Sequence, residues 1–196
     1  MTSDKEKQPR SWQQSVLLYI HDLMCMLMVV MILFLIVFRV IVVNQDSMFT
    51  TLWDGDYLLL VSQMFCGDPE PGDIVVISKQ SFDNGKAIVK RVIATEGQTV
   101  DIDFDSGIVY VDGEALEEPY LDQKTTNEEG TAFPLTVAEN CIFVLGDNRA
   151  VSLDSRSPQI GQIDRREVLG RAVFLMIPGT HHGQFLPDYS RIGPIN

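Results

Sequence analysis

Val100-Asp-Ile-Asp-Phe-Asp-Ser-Gly-Ile-Val-Tyr-Val-Asp-Gly113 is the stretch whose reading decides the fold. Apolar and polar residues alternate on both sides of Ser106-Gly107, so each arm sends its apolar side chains to one face at period two. The glycine-containing turn reverses the chain, and the reading is a hairpin of two strands, Thr99–Asp103 and Gly107–Val111. Outward from it, Tyr57–Ser62, Asp73–Ser78, Ala87–Thr95, Cys141–Leu145 and Arg171–Ile177 are further apolar runs rich in β-branched residues. They are of strand length, and Asp54-Gly55, Pro71-Gly72, Asn84-Gly85, Asp112-Gly113 and Pro178-Gly179 punctuate them as turns. The expected fold is all-β, built of antiparallel sheets. The polar stretch Glu117–Asn140 reads as an exposed loop.

Ahead of the strands, Leu23–Val43 reads LMCMLMVVMILFLIVFRVIVV, 21 residues with Arg39 as the one charge. As a helix it would extend about 32 Å against a hydrocarbon core of about 30 Å, long enough to cross a bilayer. A cleavable signal peptide has an apolar region of roughly 7–15 residues and a small-residue cleavage site, which Val42-Val-Asn-Gln-Asp-Ser-Met48 does not supply. Lys5, Lys7 and Arg10 precede the span, whereas no Lys or Arg occurs between Asn44 and Gln63. This asymmetry predicts a cytoplasmic N-terminus. Arg39, near the outer end, can lay its stem along the helix and reach the headgroups. The chain is thus expected to divide into a cytoplasmic segment 1–16, a transmembrane helix 17–43, an extracytoplasmic domain 44–180 and a tail 181–196. That division makes it a single-pass cell-membrane protein, with the lipid bilayer as a partner.

Without the charges of residues 1–43, the remaining chain holds 11 basic and 24 acidic residues. Nucleic acid, a polyanion, is an unsuitable partner for such a surface. Cys25, Cys66 and Cys141 show no CxxC spacing, and His21, His181 and His182 no ligand spacing, so no metal site and no disulfide framework are expected.

No GxSxG elbow and no His/Asp pair suited to a Ser-His-Asp triad occur, so a nucleophilic serine here requires another base. Lysine can serve if its ammonium is made easy to deprotonate. In the strand Ala87–Thr95, alternation puts Lys90 on the face of Ile88, Val92 and Ala94. Burial there would hold its pKa below the usual lysine value of about 10.4, leaving neutral amine to accept a proton from Ser47. A lysine snorkelling from an edge strand is the other reading of the same residues. In Gly146-Asp-Asn-Arg-Ala-Val-Ser-Leu-Asp-Ser-Arg156, two acids, two arginines and two serines directly follow the apolar run Cys141–Leu145. With Arg91 they either lock a loop through charge-assisted hydrogen bonds or form solvated surface pairs.

Ser47-Met-Phe-Thr-Thr-Leu52, Lys90-Arg91-Val92-Ile93 and Gly146–Arg156, in that order behind one span, resemble the bacterial type I signal peptidases, in their compact Gram-positive-like form. Val109–Leu121 and Gly170–Gly179 share the resemblance. It implies a membrane-bound serine endopeptidase that removes signal peptides from secreted preproteins through an acyl-enzyme, without a cofactor. Ser47 matches the nucleophile and Lys90 the general base. Ser152 matches the serine that orients the lysine, and Asp147 with Arg91, and Asp154 with Arg156, match ion pairs that brace the site. Met48 falls among substrate-binding positions. Thr50 stands where the family usually has proline, Gln45 where glycine or serine is common, and Ala150-Val151 where a polar pair is usual. These departures fit a paralogue dedicated to one pilus or conjugation precursor, and leave open a non-catalytic, membrane-tethered assembly factor.

Overall fold

Apolarity runs unbroken from Leu23 to Val43, yet the chain changes conformation inside that run. The computed structural model, which describes residues 12–80, 82, 85–180 and 186–195, places a 26-residue helix α1 at Trp12–Val37 and a strand β1 at Phe38–Val42. The transmembrane helix expected at 17–43 therefore starts earlier and ends earlier. A continuous apolar run does not distinguish helix from strand, and here pairing decides: Phe38 to Val42 lie antiparallel to Val61 to Tyr57. Arg39 consequently sits on an exposed strand position rather than on the helix. Its most apolar 18-residue stretch has a mean hydropathy of 2.6, none of its residues is buried, and at 1.5 Å per residue the helix extends about 39 Å, enough to cross a bilayer. Lys5, Lys7 and Arg10, which carry the orientation argument, lie outside the described residues, as do Asn84, His181 and His182.

The second compact unit begins at Phe38. After β1 come β2 (Tyr57–Ser62), a short helix α2 (Gln63–Cys66), β3 (Ile74–Ser78), β4 (Ala87–Thr95), β5 (Thr99–Asp103), β6 (Ile108–Val111) and β7 (Glu114–Ala115). β8 (Leu135–Thr136), β9 (Cys141–Leu145), β10 (Ile163–Asp164), β11 (Val168–Ile177) and β12 (Gly193–Pro194) complete it. One antiparallel sheet has the order β1-β2-β11-β3-β4-β9-β10 with β12 added beside β11, and a smaller one runs β7-β6-β5-β8. The fold is mostly antiparallel β, as the runs and turns predict. The expected hairpin forms, with Val100 opposite Val111 and Ile102 opposite Val109, and Val100, Ile102 and Val109 are buried.

β4 is an interior strand, paired with β3 on one side and β9 on the other. A register shift between Val92 and Ala94 breaks its alternation. Ile88 and Val92 therefore pack with one apolar cluster, while Ile93 and Ala94 both pack with another, the core of the smaller sheet. Ala94 leaves the face that strict period two assigns to Lys90. All three cysteines are free. Residues of the expected tail, Gly193 and Pro194, pair with Leu175 and Phe174, and so belong to the sheet of the second unit.

Gly170 sits in β11 opposite Ser62, where a Cβ would overlap the Val61 carbonyl, a backbone atom that cannot swing aside. Gly170→Ala should cost about 1–3 kcal/mol, read as a drop in Tm of roughly 2–10 °C by thermal unfolding in detergent. Gly193→Ala, which meets nothing within 4 Å, should leave Tm unchanged.

Candidate active site

The segment after β1 leaves the sheet and returns to it through a closed neck. Val43 N–H donates to the Asp56 carbonyl, and Gly55 N–H donates back to the Val43 carbonyl. Within this excursion Met48 and Leu52 are buried in the cluster that also holds Val43, Leu58 and Val89. These two apolar anchors, with Leu52 N–H donating to the Met48 carbonyl at 2.8 Å, fix the turn that carries Ser47. Gln45 adopts a positive φ of 98°, a backbone region that favours glycine, and its N–H is held by the Asp54 carboxylate at 2.8 Å. Thr50, in place of a proline ring, is restrained by its hydroxyl, which donates to the Tyr120 carbonyl.

Lys90 Nζ donates to Ser47 Oγ at 2.8 Å. Lys90 is only 2% exposed, which excludes the snorkelling reading. Burial lowers its pKa to about 8, against the pull of Asp154, Asp147 and Glu129, which favour the ammonium. Close to neutral pH a fraction of the amine is therefore unprotonated and able to take a proton.

The loop after β9 emerges opposite Arg91, because Arg91 pairs with Leu145 in the sheet. Asp147 accepts from Arg91 Nε at 2.9 Å and from Nη2 at 2.8 Å, and both residues are buried. Thr51 also donates to Asp147, tying the Ser47 turn to the same carboxylate. Arg91 lies over the Tyr120 ring at 4.0 Å. Asp154 accepts from Arg156 Nε and Nη2 at 2.9 and 3.0 Å and receives Gly146 N–H at 3.0 Å. The second alternative for this cluster, solvated surface pairs, does not hold: Arg91, Arg149 and Arg156 are all at or below 2% exposure. Asn148 clamps the backbone around Ser47 directly, its N–H donating to the Ser47 carbonyl and its Nδ2 to the Asp46 carbonyl, both at 3.0 Å.

Ser152 is buried, but among the described residues its hydroxyl has no hydrogen-bond partner, so the lysine-orienting bond expected of it is not made in this arrangement. It is nonetheless adjacent to Ser47: a Cβ on Gly146 would overlap both Ser152 Oγ and the Ser47 carbonyl. Only glycine can separate the two.

The polar stretch read as an exposed loop supplies partners to this cluster. Glu118 binds Arg149, Thr125 accepts from Arg149, and Glu129 and the Asn127 carbonyl bind Arg156. The sequence held no signal for these partners: three guanidiniums require more acceptors than Asp147 and Asp154 provide only once they are buried, and their burial is seen in the structure. Which acids answer them is a matter of loop path.

Beside Ser47 lies a cavity of about 340 Å³ between the stretch from Ile41 to Gln45 and the stretch from Lys86 to Val89, with Met48 and Phe82 also lining it. Ile41, Val43, Met48, Ile88 and Val89 make its walls largely apolar, and Met48, a candidate substrate contact, is at the same time a core anchor.

Comparison with known proteins bears on this constellation. Residues 16–177 match the family described as signal peptidase, peptidase S26. The chain is 35% identical to a probable signal peptidase I-1 of Synechocystis sp. over 90% of its length and 89% of the relative's. It is 34% identical to signal peptidase I of Bacillus licheniformis over 72% of its length and 77% of the relative's. A crystal structure of a signal peptidase I from Enterococcus faecalis overlaps 54% of this chain and 97% of that one at 32% identity, with a TM-score of 0.43. On the extent of the family match and of the Synechocystis and Bacillus relatives, the chain belongs to the signal peptidase, peptidase S26, family and is a serine endopeptidase.

Proposed function

We propose that this protein removes signal peptides from secreted preproteins with a Ser47/Lys90 dyad, while α1 anchors it in the cell membrane, N-terminus in the cytoplasm and catalytic unit outside. The observation that carries the reading is the 2.8 Å contact between a half-exposed serine hydroxyl and a buried lysine amine. Two elements far apart in sequence bring together a nucleophile and a base whose charged form is disfavoured.

Ser47 Oγ attacks the scissile carbonyl carbon as its proton passes to the neutral Lys90 Nζ. The ammonium then gives that proton to the departing amine, leaving an ester on Ser47. With its hydroxyl acceptor acylated, the lysine turns to Ser152, whose buried hydroxyl is unpartnered in the resting site. Neutral again, Lys90 takes a proton from water, the hydroxyl oxygen attacks the ester, and the proton returns to Ser47 Oγ. The backbone N–H of Ser47 is assigned to the oxyanion, a contribution worth about 3 kcal/mol where such donors have been removed elsewhere. Asp147–Arg91 and Asp154–Arg156 hold the two loops in register. The apolar groove beside Ser47 suits an extended segment with small side chains before the cut. Preproteins and the lipid bilayer are then the partners, and the chemistry calls for no cofactor.

Purified full-length protein in detergent should cut a preprotein bearing an A-x-A site. Ser47→Ala and Lys90→Ala should each lower kcat by about 10³-fold or more, measured by product appearance on gels. Cleavage at the original rate in both variants would refute the dyad. The pH profile is a second check. Lys90 is active when neutral, so kcat/KM should rise about tenfold per pH unit below the lysine's pKa and level off above it. The bend should fall near pH 8.

A further inference from the structure

The C-terminal residues return to the segment that carries Ser47. Arg191 places its guanidinium on Asp56, with Nη1 to Oδ1 at 3.0 Å and Nη2 to Oδ2 at 2.7 Å. The same Nη2 donates to the Thr51 carbonyl at 3.1 Å, and the group stacks on the Trp53 ring at 3.7 Å. Asp56 is fully buried and also accepts from Trp53 N–H and Gly179 N–H, so the carboxylate is enclosed by donors. Thr51 leads onward, because its hydroxyl donates to Asp147, the partner of Arg91 beside Lys90. Before Arg191, Ser190 N–H and hydroxyl donate to Asp188 in a turn within the tail. After it the tail is held to the sheet: Gly193 and Pro194 pair with β11, and Ile195 packs against the cluster containing Met48.

We propose that Arg191 is a positioning residue for the cleavage reaction: by clamping Asp56 and the Thr51 carbonyl it holds the Val43–Asp56 excursion so that Ser47 stays in register with Lys90. This rests on the reading of Ser47 as nucleophile. The physical case is one of leverage. The excursion is pinned at its neck by Val43 and Asp56 and at its turn by Met48 and Leu52, and Arg191 ties the stretch between them to the tail segment whose Gly193 and Pro194 pair with β11. Without the guanidinium, a buried carboxylate loses two of its four donors and the Thr51 carbonyl loses its contact. A serine displaced by an ångström or so from the attacking geometry loses rate rather than substrate affinity.

The test compares the full-length wild type with Arg191→Ala, Arg191→Lys and Ser47→Ala in detergent, below the Tm of each. Arg191→Ala should lower kcat by about tenfold to a hundredfold with KM changed less than about threefold. Guanidinium ion at sub-denaturing concentration should restore part of that kcat, and should leave the wild type unaffected. Arg191→Lys, which keeps charge but loses the two-pronged contact and the stacking, should fall between. Should Arg191→Ala fail to fold, the lysine variant alone carries the comparison, with the same kcat-specific loss expected. A folded Arg191 variant with wild-type kcat, or a loss confined to KM, overturns the clamp. Failure of the wild type to cleave, or retained cleavage by Ser47→Ala, strikes instead at the dyad and removes the clamp's premise with it.

Discussion

A single amine, taken out of water in an interior strand, is the constraint on which the rest of this structure depends. Lys90 cannot be both buried and comfortably charged, and its surroundings keep it between the two states. Carboxylates sit close enough to favour the ammonium, yet Asp147 and Asp154 are each bound by two guanidinium nitrogens, of Arg91 and Arg156. Among the described residues Lys90 hydrogen-bonds a serine hydroxyl and no acid. Were either carboxylate free to close on the lysine, the ammonium would be stabilised and the proposed base lost. The two arginines thus do more than brace: they hold Asp147 and Asp154 in pairs of their own.

The sheet makes this arrangement possible by register. Lys90 and Arg91 are neighbours on β4, so their side chains leave opposite faces, and β9 delivers Gly146 and Asp147 directly after the residue paired with Arg91. One strand-to-loop transition therefore places an acid on the arginine and a glycine between Ser152 and the Ser47 carbonyl. Ser47 itself is carried by an irregular excursion, which obtains its order from buried apolar anchors, from Asn148 and from the Asp56 carboxylate. Buried ion pairs of this kind add little net stability when complete, and cost several kcal/mol when one partner is removed. They act as registration devices for a site assembled from three loops.

Much of this was legible from the amino-acid order because local patterns and global structure agree. The alternation around Ser106-Gly107 fixed a hairpin, and the strand-length runs fixed most of the sheets. The failures have particular causes. Phe38–Val42 is as apolar as the helix before it, and only its pairing with β2 makes it a strand. Ala94 changes face at a bulge that no residue type announces. Glu118, Thr125 and Glu129 lie in a stretch whose polarity suggests solvent, yet they answer arginines more than twenty residues away. Arg191 and Asp56 are 135 positions apart, beyond the reach of any spacing argument.

The protonation of the Lys90 amine can be read directly by NMR. The full-length protein, labelled at lysine Cε and Nζ and held in detergent, would be titrated, with the Lys90 signal assigned by its disappearance in Lys90→Arg. A midpoint near 8 is the result the buried base requires. A midpoint at the ordinary lysine value of about 10.5 would contradict it, since Lys90 would then be a structural cation and Ser47 would lack its proton acceptor.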